Sequence, residues 1–278
     1  MKGSIVSSRI ALTMRSEKGA HQYVVGPDGS NSSFARRKHI AMNTLKEQRV
    51  LVVGGSSGIG FETAAAAKSA GASVTIASRS EPRLKASAAK LDGKVETAVL
   101  DTNDNAAIER FFAEDEPWDH IVISASQTKS GPVRELDLGD AKAAMESKFW
   151  GTYRVARVAR FKDNGSLTLI SGFLSERPSA SAVLQGAINA ALEALARGLA
   201  LELAPVRVNA VSPGLIETSL WDSLPDERRK AMFESAAKLL PVRRVGRPMD
   251  IANAALFLMT TPFATGSTVR VDGGGVIA

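Results

Sequence analysis

The 278-residue chain contains no cysteine, two tyrosines and three histidines, and aromatic residues make up only 5% of it. Without cysteine there is no disulfide framework, no thiol nucleophile and no thiolate-bound zinc or iron–sulfur cluster, which fits a cytoplasmic protein. His21 and His39 lie in the leading segment, far from His120, and Asp101, Asp104, Glu109, Glu114, Asp115 and Glu116 lack calcium-loop spacing. No metal is therefore expected. No apolar run approaches the roughly 18 residues needed to cross a bilayer, so a membrane span is excluded as well. Hydrophobic residues make up 44% and charged residues 23%, with 23 glycines and 11 prolines, which excludes wholesale disorder, collagen and coiled coil.

Positive charge is unevenly placed. The net charge is +6, and residues 1–41 carry seven Lys or Arg against Glu17 and Asp28, a local balance of +5 that leaves about +1 for everything from Met42 onward. A nucleic-acid binder spreads basic residues over a surface that faces phosphate. Here they sit in a Ser- and Gly-rich leader, so no nucleic-acid partner is expected. The basic start is not followed by a sustained apolar stretch, which argues against a signal peptide. Residues 1–41 read as a flexible basic extension, with Met42 a candidate natural start and a matrix-targeting leader as the alternative. Short strands over Ile5–Met14 and Gln22–Val25 around Gly26-Pro27-Asp28-Gly29 are expected there.

From Arg49 strands and helices alternate. Val50–Val53, Val74–Ala77, Val95–Leu100, His120–Ala125, Ser166–Ser171, Val206–Val211 and Thr268–Val271 read as seven strands. Helices are expected over Thr63–Lys68, Pro82–Leu91, Ala106–Phe112, Ala141–Phe161, Ala187–Leu203, Pro225–Leu240 and Asp250–Met259. This rhythm predicts an α/β fold, a doubly wound seven-stranded parallel sheet with helices on both faces, formed by a single domain over residues 42–278. A charged lid is expected near 217–240.

The strongest local signal is the glycine pattern between the first strand and its helix, Gly54-Gly55-Ser56-Ser57-Gly58-Ile59-Gly60. Gly54 permits the turn, Gly58 lets backbone approach a pyrophosphate, and Gly60 lets helix and strand pack closely. The helix opening near Ile59 offers unpaired amides and the positive end of its dipole, while Ser56 and Ser57 add hydroxyl donors. After the second strand a cofactor lacking the 2′-phosphate wants a carboxylate; this chain has Ser78-Arg79-Ser80. Arg79 suits a 2′-phosphate, so NADP(H) is the expected cofactor. A solvated surface arginine is the alternative.

These residues, taken together, give residues 42–278 a resemblance to the short-chain dehydrogenase/reductase family. Gly54–Gly60 resembles the family's cofactor loop, with Val53 in place of the usual threonine. Asp101, with Thr102 beside it, matches the acidic position that binds adenine. Arg207-Val208-Asn209-Ala210-Val211-Ser212-Pro213-Gly214 is similar to the segment leading to the nicotinamide, and the resemblance carries cofactor contacts onto Pro213, Gly214, Ile216 and Thr218. Arg247-Pro248-Met249-Asp250 and Val271-Asp272-Gly273-Gly274 resemble the closing signatures. In that family the helices corresponding to Ala141–Phe161 and Ala187–Leu203 pair across a twofold axis, and the last strand builds a second interface. A homodimer or homotetramer is implied.

The same resemblance makes this a divergent member. The family presents a serine after its fifth strand, a tyrosine 13 residues on, a lysine four beyond that, and an asparagine on the preceding helix. Those positions hold Gly172, Gln185, Asn189 and Lys148, and Ile123-Ser124-Ala125-Ser126 replaces the family's Asn-Asn-Ala-Gly. Gln185 can donate a hydrogen bond but cannot release a proton. Lysine and asparagine stand exchanged between the two helices. If Lys148 points inward, its ammonium replaces the acid; if its head reaches solvent, it is an ordinary amphipathic lysine. Gln185 and Asn189 are expected to orient ligand, and Trp221 and Met232 to touch a hydrophobic substrate. Ser124, Ala125 and Ser126 complete the expected cofactor contacts. The function implied is an NADP(H)-dependent oxidoreductase acting on a small carbonyl or conjugated substrate through an atypical site. The alternative is a weak or inactive NADP(H)-binding scaffold or sensor.

Overall fold

The computed structural model describes residues 13–16, 19–22, 45–92 and 94–278. The chain divides into two units, Met1–Ala41 and Met42–Ala278. In the first, β1 (Thr13–Ser16) pairs antiparallel with β2 (Gly19–Gln22), Thr13 opposite Gln22 and Ser16 opposite Gly19. β1 overlaps the expected Ile5–Met14 strand at Thr13 and Met14, and β2 meets the expected Gln22–Val25 strand at Gln22. Two residues separate the strands, and so short a connection costs less closure entropy than a longer one. The Gly26–Gly29 turn, and most of the extension expected to be flexible, lie outside the described residues.

The second unit is built on β3 (Arg49–Val53), β4 (Ser73–Ser78), β5 (Glu96–Val99), β6 (Trp118–Ile123), β7 (Phe161–Ile170), β8 (Arg207–Pro213) and β9 (Thr268–Val271). Their order is β5-β4-β3-β6-β7-β8-β9, every neighbouring pair parallel. The helices between them are α1 (Gly58–Ser69), α2 (Glu81–Lys90), α3 (Asn105–Glu114), α4 (Leu138–Met145), α5 (Gly151–Val158), α6 (Val183–Glu202), α7 (Asp226–Leu239) and α8 (Pro248–Thr260). Side-chain alternation in β3 feeds both faces of the sheet. Val50 and Val52 join Ala64, Ala67, Ile251 and Leu258 beneath α1 and α8. Leu51 and Val53 join Ile108, Phe112, Val155 and Leu192 beneath α3, α5 and α6. Strands buried on both faces need apolar residues, which is why Val50–Val53 of β3 and Ile121–Ile123 of β6 are apolar without a break.

The helix expected over Ala141–Phe161 is in fact three pieces and a strand start. Between α4 and α5 the chain makes a π-helical turn, Glu146–Trp150, and the helix ends at Val158. Phe161 instead begins β7, paired with Trp118. Tertiary pairing overrides a helical periodicity that Phe161, itself packed against the core, does not interrupt. α7 has no buried residue and lies over the surface. No helix among the described residues is long and apolar enough to cross a membrane.

Candidate active site

Strand order reverses between β3 and β6, and a doubly wound sheet opens a ligand crevice at the carboxyl ends of such strands. Gly54 ends β3 there with φ +90°, and a Cβ on it would lie 2.5 Å from the Ala125 nitrogen. A Cβ on Gly60 would lie 2.2 Å from the Gly54 carbonyl oxygen, so strand and helix meet with no room for a side chain. Ser80, Asp104 and Asp137 cap α2, α3 and α4 with their side chains, but Ser57 makes no such bond at α1. The first-turn amides of α1 therefore keep their donors for a ligand. They open onto a cleft of about 320 Å³ lined by Ser56, Ser57, Gly58, Lys90, Thr218 and Ser219.

At one side of the crevice Arg79 donates to Gln127 Oε1 at 2.7 Å, both residues exposed, bridging the ends of β4 and β6. Ser80 accepts from the Arg83 amide, and Ser78 Oγ is buried with no partner. Asp101 accepts from the Asn103 amide at 3.0 Å. The Thr102 side chain packs beside Gly151, and its carbonyl accepts from Arg154 Nη1 at 3.4 Å. Ser124 is tied to β3 through the Val53 carbonyl, and Ala125 faces Gly54. Ser126 is exposed beyond them.

At the other side, Lys148 projects inward from the π-turn and is 7% exposed. Its Nζ donates to Asn189 Oδ1 at 2.7 Å and to the Ser171 carbonyl at 2.9 Å. Gln185 Nε2 reaches the same Asn189 oxygen at 3.4 Å, and Gln185 Oε1 is buried without a partner. Burial pushes the Lys148 ammonium down from its usual range to about 8, with the Glu193 carboxylate pulling the other way. Gly172 leads out of β7, and the Asn189 amide occupies the space a side chain there would need.

Beyond β8, Gly214 packs so closely on Asp272 that a Cβ would lie 2.6 Å from its Cα. Ile216 is buried in the core, and its carbonyl accepts from the Trp221 indole at 3.0 Å. Thr218 stands opposite Gly58. Under α7 a cleft of about 460 Å³ is walled by Glu217, Arg229, Phe233 and Val245. Phe233, not the expected Met232 or Trp221, lines it. One residue along a helix rotates the side chain by about 100°, and Trp221 is held by its own hydrogen bond and by packing on Phe233. His120 is buried at the opposite, amino-terminal end of the sheet, bonded to Ser166 and Gln48. Among the described residues no group of three or more His, Asp and Glu is placed to hold a metal.

A dinucleotide fits this crevice. The glycine loop admits backbone but no side chain, the α1 amides are uncapped, and a buried polar atom lacks a partner at each side, Ser78 Oγ and Gln185 Oε1.

A family model described as enoyl-(acyl carrier protein) reductase matches residues 53–275. The short-chain dehydrogenase/reductase ATR9 of Stachybotrys chlorohalonatus is 34% identical over 256 residues, which cover 85% of this chain and 100% of the relative. The chain belongs to the short-chain dehydrogenase/reductase family. Another short-chain relative, the peroxisomal 2,4-dienoyl-CoA reductase of Pongo abelii, is 29% identical across 89% of this chain and 90% of its own. A solved small-chain dehydrogenase in complex with NADPH aligns with a TM-score of 0.71 at 34% identity, covering 83% of this chain and 99% of that one. The short-chain dehydrogenase/reductase fold accounts for the sheet order and for the crevice at its switch point.

Sequence reasoning missed Gln127, Lys90, Ser175 and Glu193. Glu193 had a readable signal, since Gln185, Asn189 and Glu193 recur every four residues and share one face of α6.

Proposed function

We propose that this chain is an NADP(H)-dependent oxidoreductase that moves hydride to or from a small carbonyl or conjugated substrate, with the Lys148 ammonium meeting charge on the substrate oxygen. The observation that carries this reading is the inward Lys148, buried and held by Asn189 and the Ser171 carbonyl, with one of its three N–H donors left over. The amides that open α1 from Gly58 to Gly60, with Ser56, Ser57 and Thr218, would hold the diphosphate, while Gly54 and Gly55 donate to the Ala77 carbonyl and shape the turn. Arg79 would hold the 2′-phosphate with Ser78 and Ser80, and Asp101 and Thr102 the adenine. Ser124, Ala125, Ser126, Pro213, Gly214 and Ile216 would wall the remainder. The NADPH bound by the similar solved structure supports this choice of cofactor.

When bound, the nicotinamide supplies or accepts the hydride. Lys148 stabilises the oxyanion that hydride addition creates, and an ammonium lowered to about 8 can also give up a proton near neutral pH. Asn189 fixes the ammonium, and Gln185 fixes Asn189 while offering its buried oxygen to a ligand hydroxyl or amide. A conjugated substrate needs only the charge, because its carbon can take a proton from water. The enoyl reductase description of the family model and the dienoyl-CoA reductase relative support that substrate class.

A second reading, a cofactor-binding protein without turnover, is favoured by one observation: two of the three Lys148 donors are already spent inside the protein. The homodimer or homotetramer reading draws support from Trp150 and Tyr153, 44% and 42% exposed side by side, and is checked by light scattering of the W150S/Y153S variant.

The test is titration of NADPH and NADH into wild type and Arg79→Ala, followed by a panel of ketones, quinones and enones. NADPH should bind more tightly, and the substitution should weaken it roughly 10- to 100-fold, the worth of a charge-assisted pair. Equal NADPH affinity for both proteins overturns the cofactor assignment. NADPH binding without turnover on any panel member favours the second reading.

A further inference from the structure

We infer that Glu193 is a positioning residue for Lys148: its buried carboxylate anchors Ser171, whose carbonyl holds the Lys148 ammonium, and balances the charge of that ammonium. The inference rests on the role proposed for Lys148 above.

Glu193 lies two turns beyond Gln185 on α6 and is 8% exposed. Its Oε1 accepts from Ser171 Oγ at 2.9 Å and from Ser175 Oγ at 2.8 Å. Ser171 has a single hydroxyl proton, and the carboxylate at 2.9 Å competes for it against the neutral Val211 carbonyl at 3.2 Å. A charged acceptor wins that competition. Ser171 is thus pinned through its side chain to Glu193 and through its amide to Val211, and its carbonyl is aimed at Lys148 Nζ. Both charges are buried, and neither makes a direct ion pair with a described residue. A buried carboxylate costs several kcal/mol unless hydrogen bonds and an opposite charge compensate it. Here two hydroxyls and the nearby ammonium do so.

The other charged groups around the cluster are already engaged. Glu146, on the π-turn with Lys148, bonds Arg154, and Glu176, after the 3-10 turn that carries Ser175, bonds Arg270 of β9. Arg270 also feels the field of Glu193. Glu193 is the charge that acts on Lys148 against the effect of burial. Removing it should therefore lower the Lys148 pKa.

The experiment follows the 13Cε resonance of Lys148 against pH in the full chain labelled with 13C-lysine, assigned by its loss in Lys148→Met. Wild type should titrate near 8. Glu193→Gln should titrate lower by about one pH unit, the low end of what a nearby opposite charge contributes. Glu193→Asp, which keeps the charge but withdraws it by one methylene, should fall between the two and carries the test if Glu193→Gln fails to fold. An unchanged Lys148 pKa in the folded variants overturns the inference. The reading needs no substrate, so a lowered pKa in a protein without turnover sinks the reductase proposal and leaves the role of Glu193 standing.

Discussion

Gly172 and Asn189 exclude a side chain between them: a Cβ on Gly172 would sit 2.6 Å from Asn189 Nδ2 and 3.2 Å from its Cγ. Asn189 cannot swing clear at no cost, because it is 2% exposed and its oxygen receives Lys148. The glycine, the asparagine and the inward lysine are therefore one coupled arrangement.

Gly172→Ser should destabilise the protein by roughly 1–3 kcal/mol, the cost of overpacking a filled site. Asn189→Ala should relieve much of that clash. In a urea-unfolding double-mutant cycle the two substitutions should be less than additive. Strict additivity would show that the two positions do not compete for space.

His120 gives a pH-dependent stability. Burial, reinforced by the Arg207 charge and opposed by Asp119, holds its imidazole down at about 4. Between pH 6.5 and 4 the unfolded chain takes up a proton that the folded chain refuses. Stability is therefore full above pH 6.5 and lost as pH falls toward 4, by about 3 kcal/mol. Urea midpoints for wild type and His120→Gln should differ in slope across this window, the variant being flatter. Parallel slopes would contradict the assignment.

Lys148 should show the opposite placement on the pH axis. With its folded value near 8 against an ordinary 10.5, it burdens the fold in full below pH 8. Wild-type stability should then rise by about 3 kcal/mol relative to Lys148→Met between pH 8 and 10.5, because only the unfolded chain still binds the proton there. A constant difference across that range would mean that the ammonium is solvated.

The fold and the close glycine turn after β3 were largely legible because their signals are local. Val50–Val53 is apolar on both faces, and the glycines follow at the spacing that a close helix–strand approach requires. The error at Phe161 arose because an apolar residue half-buried in a strand and one half-buried in a helix look alike when both touch the same core. The π-turn was invisible for a different reason. One extra residue per turn leaves no compositional mark, yet it falls where Lys148 is aimed inward. Glu193 was masked by the alanines around it, although its four-residue spacing from Asn189 marks the shared face.

The most direct test takes the panel substrate that wild type reduces fastest and compares its NADPH-dependent kcat/KM in wild type and Lys148→Met from pH 6 to 10. The account predicts a wild-type rate that falls as pH rises through about 8, and a variant that loses at least ~100-fold in rate, with no such fall, while NADPH affinity is kept. Turnover in Lys148→Met equal to that of wild type, with the same pH profile, would contradict it.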